Sequence, residues 1–269
     1  MVSDASTPEQ LLDENFNRHV RFFPSQTAGM DVRVMNDILV VNSQLASDTF
    51  NIVHIPNASR PGLADLKTVV DYTVHSGLPF CFWLSETAAT ETTVANLRQL
   101  GAACVGQDPG MILSLDAYIP IDNEHQDEIR IVKNRKELAD FATVIAQNWK
   151  PADENVLRYY QNVAPVLLAA PDTVLMVCYR NSQPVSVIEL FPTNNQIIGI
   201  YSLATLREFR GQGIGTVLMR HALNYAKQTG YKTALLQSSE DGFRIYQKFG
   251  YRVVTMYYEY QLVGSAAAN

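Results

Sequence analysis

Along this chain, stretches whose apolar residues recur at helical spacing alternate with short apolar runs of strand character, separated by clusters of Gly, Pro, Asn and Ser. The first helix is bounded by its own chemistry. Thr7, Pro8 and Gln10 stand as N-cap, first and third helical residues, a capping-box arrangement, and Pro24 stops a segment running to about Phe22. Ile38 to Val41 and Phe50 to Ile55 read as strands. Leu63, Leu66, Val69, Val70 and Val74 then recur at helical spacing up to Gly77, where a left-handed glycine can end the helix. Pro79 to Leu84 is a strand, Thr92 to Leu100 a helix ending at Gly101, and Met111 to Leu115 a further strand.

The stretch from Asp116 to Glu128 is polar and acidic, carries Pro120 and has no apolar period, so it marks a domain boundary. This gives a first domain over 1–118, a linker over 119–128, a second domain over 129–263 and a tail over 264–269. In the second domain Ile129 to Val132 is a strand, Lys136 to Trp149 a helix with Leu138, Phe141, Ala142 and Ile145 on one face, and Asn155 to Leu168 a helix interrupted at Pro165. Strands at Thr173 to Tyr179, Val185 to Phe191 and Gln196 to Thr205 follow, joined by short turns, as an antiparallel meander. A helix from Gly213 to Gln228 turns Val217, Leu218, Ala222, Tyr225 and Ala226 inward. The strand Thr233 to Leu236, a short helix ending at Phe249 and Gly250, and a final strand complete the chain.

The two halves share an order of elements, with Gly77 parallel to Gly230 and Gly101 to Gly250. This is a repeat of architecture rather than of sequence.

Length and composition narrow the partners. A chain of 269 residues, 47% of them hydrophobic, is long enough for two packed domains. The net charge is −6, and no cluster of Lys or Arg marks a nucleic-acid track or membrane-surface helix, which points to small-molecule or protein partners. The 3 cysteines, Cys81, Cys104 and Cys178, lack metal-ligand spacing and read as buried thiols, so neither a disulfide framework nor a metal is expected. Trp83 and Trp149 read as core. No apolar run approaches the roughly 18 residues a membrane span needs, and the expectation is a soluble, cytoplasmic protein acting as monomer or homodimer.

The most informative stretch is Arg210-Gly211-Gln212-Gly213-Ile214-Gly215-Thr216, set between a strand and a helix. A glycine-rich turn feeding a helix is an anion site, because the first-turn N–H groups lack intrahelical partners and the peptide dipoles favour negative charge there. The spacing misses the dinucleotide fingerprint, since Thr216 stands where its last Gly belongs, and there is no Gly-Lys-Ser/Thr of a P-loop. What remains is Arg-x-x-Gly-x-Gly at Arg210, Gly213 and Gly215, which resembles motif A of the GNAT superfamily of acyl-CoA N-acyltransferases. A second family signature, Asn-x-x-Ala-x-x-x-Tyr followed by Gly and an aromatic, is met by Tyr246, Gly250 and Tyr251, with Ser239 for Asn and Gly242 for Ala.

The resemblance implies an α/β fold of GNAT type, a mixed and largely antiparallel sheet flanked by helices, preceded by a smaller, degenerate GNAT-like α/β domain. It implies an N-acetyltransferase that takes acetyl-CoA and a small-molecule or peptide amine and joins them by direct attack in a ternary complex. The alternative is a non-catalytic acyl-CoA sensor or scaffold. Backbone N–H groups of Gly211, Gln212, Gly213, Ile214, Gly215 and Thr216 would face the pyrophosphate of coenzyme A, with Arg210 adding charge-assisted contacts. Main-chain groups of Leu203, Ala204 and Thr205 would hold the pantetheine arm. Ser239 and Gly242 would lie beside the cofactor, Ser239 serving equally well as a helix cap.

Tyr246 is either an aromatic packed with Phe243 and Phe249 or, as the resemblance implies, the acid that protonates the departing thiolate. For the base, strand alternation puts Glu189 on the face of Val185, Val187 and Phe191, where an unpaired charge is costly. A salt bridge at the strand end accounts for it equally, and Tyr201 or a water are other acceptors of the proton. His221 reads as a half-buried surface histidine. The first half, with Ser59-Arg60-Pro61-Gly62-Leu63 at the corresponding helix entrance, lacks a phosphate cradle.

Overall fold

The protein is described by a computed structural model over residues 6–121 and 128–263. Of the expected linker, residues 122–127 lie outside the described residues, as do the tail 264–269 and residues 1–5 of the N-terminal tail. Two compact units emerge: Met1–Met111 with Gln237–Asp241 and Val253–Asn269, and Ile112–Leu236 with Gly242–Arg252.

The first unit opens with α1 (Pro8–Phe22), whose capping box is formed: Gln10 N donates to Thr7 Oγ1 at 3.3 Å and Thr7 N to Gln10 Oε1 at 2.8 Å. A hairpin follows, β1 (Asp31–Met35) and β2 (Ile38–Asn42), turning through Asn36 and Asp37 at φ 51° and 62°. β1 is absent from the sequence reading. Its turn has the two left-handed residues of a type I′ hairpin, but Asn-Asp lacks the glycine that usually signals one.

β3 (Ile52–Ile55), α2 (Leu63–Ser76) and β4 (Cys81–Ser85) form a parallel strand–helix–strand unit, followed by α3 (Glu91–Gln99) and β5 (Ala102–Ser114). β5 is far longer than the expected Met111 to Leu115. Its first half, with Gly106, Asp108 and Pro109, has little strand propensity of its own. At Gly110 the reason for glycine is packing, since a Cβ there would stand 2.8 Å from Thr255 Cγ2 and 3.0 Å from Tyr257 Cε2.

In the second unit β6 (Glu128–Ile131), α4 (Arg135–Ala146) and α5 (Glu154–Leu167) precede the meander β7 (Val174–Arg180), β8 (Gln183–Pro192) and β9 (Ile197–Thr205). α5 is not interrupted at Pro165: the proline falls in the last turn, where it removes one backbone donor, and Leu168 N still reaches Ala164 O at 3.0 Å. Then come α6 (Ile214–Gln228), β10 (Thr233–Gln237), parallel to β9, and α7 (Glu240–Lys248). The strand order is β10-β9-β8-β7-β6.

The last strand, β11 (Arg252–Leu262), returns to the first unit, where the order is β1-β2-β3-β4-β11-β5. It runs antiparallel to β4, with Tyr258 opposite Leu84 and Glu259 opposite Trp83. The partition therefore differs from one cut at residues 119–128. Strand exchange of this kind is decided by non-local pairing, which a scan for local breaks in pattern does not register.

One face of the first unit's sheet packs Val53, Phe82, Leu84 and Tyr260 against Leu66, Val69 and Leu97, and the other packs Leu39, Val41 and Ile52 against Phe16. The four glycines paired in the repeat all take positive φ, 69° and 98° at Gly77 and Gly230, 87° and 91° at Gly101 and Gly250. Two local expectations fail. Cys104 is exposed, unlike buried Cys81 and Cys178, and Trp149 keeps 43% of its surface, lying past the last turn of α4 rather than inside the core. Among the described residues no helix is long and apolar enough to cross a membrane.

Candidate active site

The site grows out of a defect in β9. Opposite β8, Val187 pairs with Ala204 and Glu189 with Tyr201, so one β8 residue faces two on β9. Ser202 is one of the two and takes φ 55°, a left-handed backbone that costs a non-glycine residue about 1–2 kcal/mol. Pairing of β9 with β10 covers Ile197, Ile198 and Gly199. Past the bulge, Tyr201 to Thr205 are half-buried. The end of β9 thus brings Leu203, Ala204 and Thr205, expected to hold a pantetheine arm, to a half-open strand edge beyond the β10 ladder.

This strand leads through a short 3₁₀ turn (Arg207–Phe209) to Gly213, the N-cap of α6 at φ 80°. A Cβ at Gly213 would meet nothing within 4 Å, so glycine is needed there for the backbone angle rather than for room. The first-turn N–H groups of Ile214, Gly215 and Thr216 lie beyond it, Val217 N being the first to bond back, to Gly213 O at 3.0 Å. No acidic residue occupies that turn. A Cβ on Gly215 would lie 3.4 Å from Thr205 Oγ1 and 4.0 Å from Ile245 Cδ1, so β9, the start of α6 and α7 converge on this point.

The Arg210 side chain, expected at the phosphates, and that of Gln212 are both held by neighbouring residues. Arg210 donates from Nε to Thr205 O at 3.1 Å and from Nη2 to Asn148 Oδ1 at 2.6 Å, tying the cradle to the end of β9 and to the residues after α4. Gln212 accepts from Arg180 Nη1 at 2.6 Å and donates to Glu208 O at 3.1 Å. Gly211, at φ 74°, completes the turn. Ser186 Oγ lies 2.8 Å from Ala204 O and 2.8 Å from Thr205 Oγ1, fixing the strand end. Neither Asn148 nor Arg180 was reachable from the motif, because both come from other elements.

Tyr246 is buried on α7 and packs edge-on against Tyr251, with centroids 5.9 Å apart. Its ring also lies over Gly242, one turn earlier: a Cβ there would stand 2.7 Å from Tyr246 Cε2 and 3.2 Å from its hydroxyl. This accounts for glycine where the family signature has alanine. Phe249 turns elsewhere, toward Tyr118 at 6.5 Å. Ser239 is exposed and immediately precedes the first residue of α7, while neighbouring Ser238 is buried and bonds Ser239 O at 2.8 Å. His221 is half-buried, and burial holds its pKa below the ordinary value.

Glu189 is 4% exposed. Ser202 Oγ donates to its Oε2 at 3.3 Å. Its charge acts on Tyr159, Tyr160 and Tyr201, whose pKa values are raised first by burial and then by that carboxylate. The two α5 tyrosines were not singled out from sequence. Tyr160 packs edge-on against Phe141 of α4, with centroids 5.3 Å apart.

Residues 136–251 match the model of the Acetyltransferase (GNAT) family. A GCN5-related N-acetyltransferase from Kribbella flavida superposes with a TM-score of 0.67 at 15% identity, over 94% of this chain and 96% of that one. A GCN5-related N-acetyltransferase from Sphaerobacter thermophilus gives 0.60 at 16%, over 96% and 93%. A tandem GNAT protein from the clavulanic acid biosynthesis pathway gives 0.62 at 11%, over 86% and 79%. At these identities the likeness is one of fold, and it extends through both halves. The family match over residues 136–251 takes in the glycine entrance to α6 and the whole of α7, and it identifies this stretch as GNAT-like.

Proposed function

We propose that the second unit transfers an acetyl group from acetyl-CoA to a primary amine by direct attack. The observation that carries this reading is the half-exposed end of β9 running into a left-handed glycine and an acid-free helix start. Such an entrance suits the pyrophosphate of acetyl-CoA, and the strand end suits the amides of its pantetheine arm. Arg210 and Gln212 act by holding the loop, and the N–H groups of Ile214, Gly215 and Thr216 meet the phosphates.

In the reaction the amine nitrogen bonds to the thioester carbon, and the tetrahedral intermediate expels coenzyme A by breaking the C–S bond. Glu189 takes one proton from the docked ammonium, freeing the nitrogen lone pair for the attack, and the second proton leaves the nitrogen to water as the intermediate collapses. Tyr246 gives one to the departing sulfur, and its phenolate is reprotonated from solvent. The products are the N-acetyl amine and coenzyme A thiol.

A thiol-release assay with acetyl-CoA across alkylamines, peptides and aminoglycosides tests the reading. Amine-dependent release supports it. Tight acetyl-CoA binding without release from any amine supports an acyl-CoA sensor instead.

A further inference from the structure

In the first unit, α1 and the loop of residues 56–60 border an open cavity of about 750 Å³, within the size range of small-molecule sites. Asp13 and Asn17 of α1 and Asn57 of the loop line it, and His54 on β3, fully buried, ties the two α1 residues together. With the Asn17 amide nitrogen 2.9 Å from His54 Nδ1, that ring nitrogen is the acceptor, and Nε2–H donates to Asp13 Oδ1 at 2.9 Å. Asp13 Oδ2 accepts from Asn57 N at 3.0 Å. The donors to Asp13 are thus a neutral imidazole and a main-chain amide, and among the described residues no Lys or Arg pairs with it. A carboxylate only 7% exposed is costly without a counter-charge, and what remains open of it faces the cavity. Glu9 lines the same cavity one turn earlier on α1, where Asn57 Nδ2 takes its main-chain oxygen at 3.1 Å. The arginines of the lining are turned to other acceptors: Arg60 Nη1 donates to Asn57 O and Ser59 O at 2.6 Å each, and Arg18 faces Glu14 at 4.0 Å.

From this geometry we infer that the cavity is a ligand site of the first unit for a short aliphatic diammonium ion, with one ammonium on Asp13 and the other on Glu9. Residues four apart on a helix have Cβ atoms about 5–6 Å apart, and extended 1,4-diaminobutane sets its two nitrogens a similar distance apart. On the loop side, Pro56 and Ala58 give the methylene spacer an apolar wall. Each ammonium brings to its carboxylate the counter-charge and the charge-assisted hydrogen bonds that no Lys or Arg among the described residues supplies there. Every residue of this site belongs to the first unit, so the inference does not rest on the acyltransferase reading of the second.

The test is calorimetric titration of the full chain with 1,4-diaminobutane, 1-aminobutane and 1,4-butanediol. The diamine is expected to bind at least about tenfold more tightly than the monoamine, and the diol not to bind. Glu9→Gln, at a half-buried position, should bring the diamine down about tenfold to the level of the monoamine and leave the monoamine, seated on Asp13, nearly unchanged. Asp13→Asn should remove both. Ala58→Trp, at an exposed position of the lining, fills the cavity without touching either carboxylate and should also abolish binding, which keeps the test independent of any effect of Asp13→Asn on the fold. Equal affinity for diamine and monoamine in the parent protein overturns the inference, as does the absence of diamine binding. So does diamine affinity unchanged by both Glu9→Gln and Ala58→Trp, since the diamine then sits elsewhere, as an acetyl acceptor in the second unit would. Diamine binding lost in these variants while amine-dependent thiol release persists supports the site and leaves the acyltransferase reading intact.

Discussion

In the first unit β3 passes through residues 56–62 into α2 and returns as parallel β4; in the second β9 passes through residues 206–213 into α6 and returns as parallel β10. The helices have nearly equal length, 14 and 15 residues. Their entrances differ. α2 is capped at Gly62 with φ −75°, and Asp65 turns its carboxylate back to accept from Gly62 N at 2.9 Å. Arg60 folds onto its own loop, donating to Asn57 O and Ser59 O at 2.6 Å each. The place an anion would take is filled by the protein's own carboxylate. α6 begins on a left-handed glycine with no acid in its first turn. The feeding strands differ as well: β3 is buried along its whole length and paired with β4 from Ile52 to Ile55, whereas β9 is bulged and half-exposed at its end. One architecture thus gives a self-satisfied helix start in one unit and an acid-free start on a left-handed glycine in the other, through a handful of residues.

The strongest way to break this contrast is to move a carboxylate into the second entrance. Gly215→Glu has an ordinary backbone to occupy and adds an acid to a helix start, which favours the fold. It opposes a polyanion, and a like charge at close range costs several kcal/mol, so coenzyme A affinity should fall more than about 100-fold at unchanged melting temperature. Calorimetry on the folded variant measures this, and wild-type affinity would remove the site.

Next in size is Tyr246→Phe. The ring that packs on Tyr251 and over Gly242 is kept, so coenzyme A affinity should hold while turnover drops about 10- to 1000-fold. Rate and affinity must come from one preparation. Unchanged turnover with chemistry rate-limiting would leave Tyr246 as a packed aromatic.

Asp65→Ala sharpens the comparison from the other side. Removing the carboxylate should cost about 0.5–1 kcal/mol of stability by denaturant titration, through the lost cap and dipole interaction. With Gly215→Glu in the same chain, coenzyme A binding should remain absent, because β3 offers no open strand end. Binding restored by Asp65→Ala in that background would show that the carboxylate alone separates the entrances.

The smallest effect is a pH dependence in the first unit. Burial raises Asp108 to about 6, and Glu259 is also raised, by burial and then by the charge of Asp108. The folded state then binds protons more tightly than the unfolded one, so this pair's contribution to stability falls as pH rises from about 4 to 6. Asp108→Asn should raise the melting temperature by a few degrees at pH 8 and leave it nearly unchanged at pH 4, as differential scanning calorimetry at the two pH values would record.

The sequence by itself determined whatever is encoded by near neighbours. The capping box at Thr7 and Gln10, the stop glycines at Gly77 and Gly230, the meander from β7 to β9 and the glycine start of α6 are all local, and each was legible. The likeness of two motifs pointed to the family for the same reason, since a phosphate cradle is built from consecutive backbone groups. Only the tertiary structure decided what depends on distant partners. β11 lies beside β4 because hydrogen-bonding edges choose partners across the chain, and β5 extends through Gly106 and Pro109 because neighbours hold it. Arg210 holds Asn148 and Thr205, an arrangement its motif position does not specify. Ser202 adopts a left-handed backbone that its side chain does not favour, and at that bulge its hydroxyl meets Glu189, opposite Tyr201. Local propensity acts over a few residues, while the surroundings of a buried charge are assembled from strands and helices far apart in the chain.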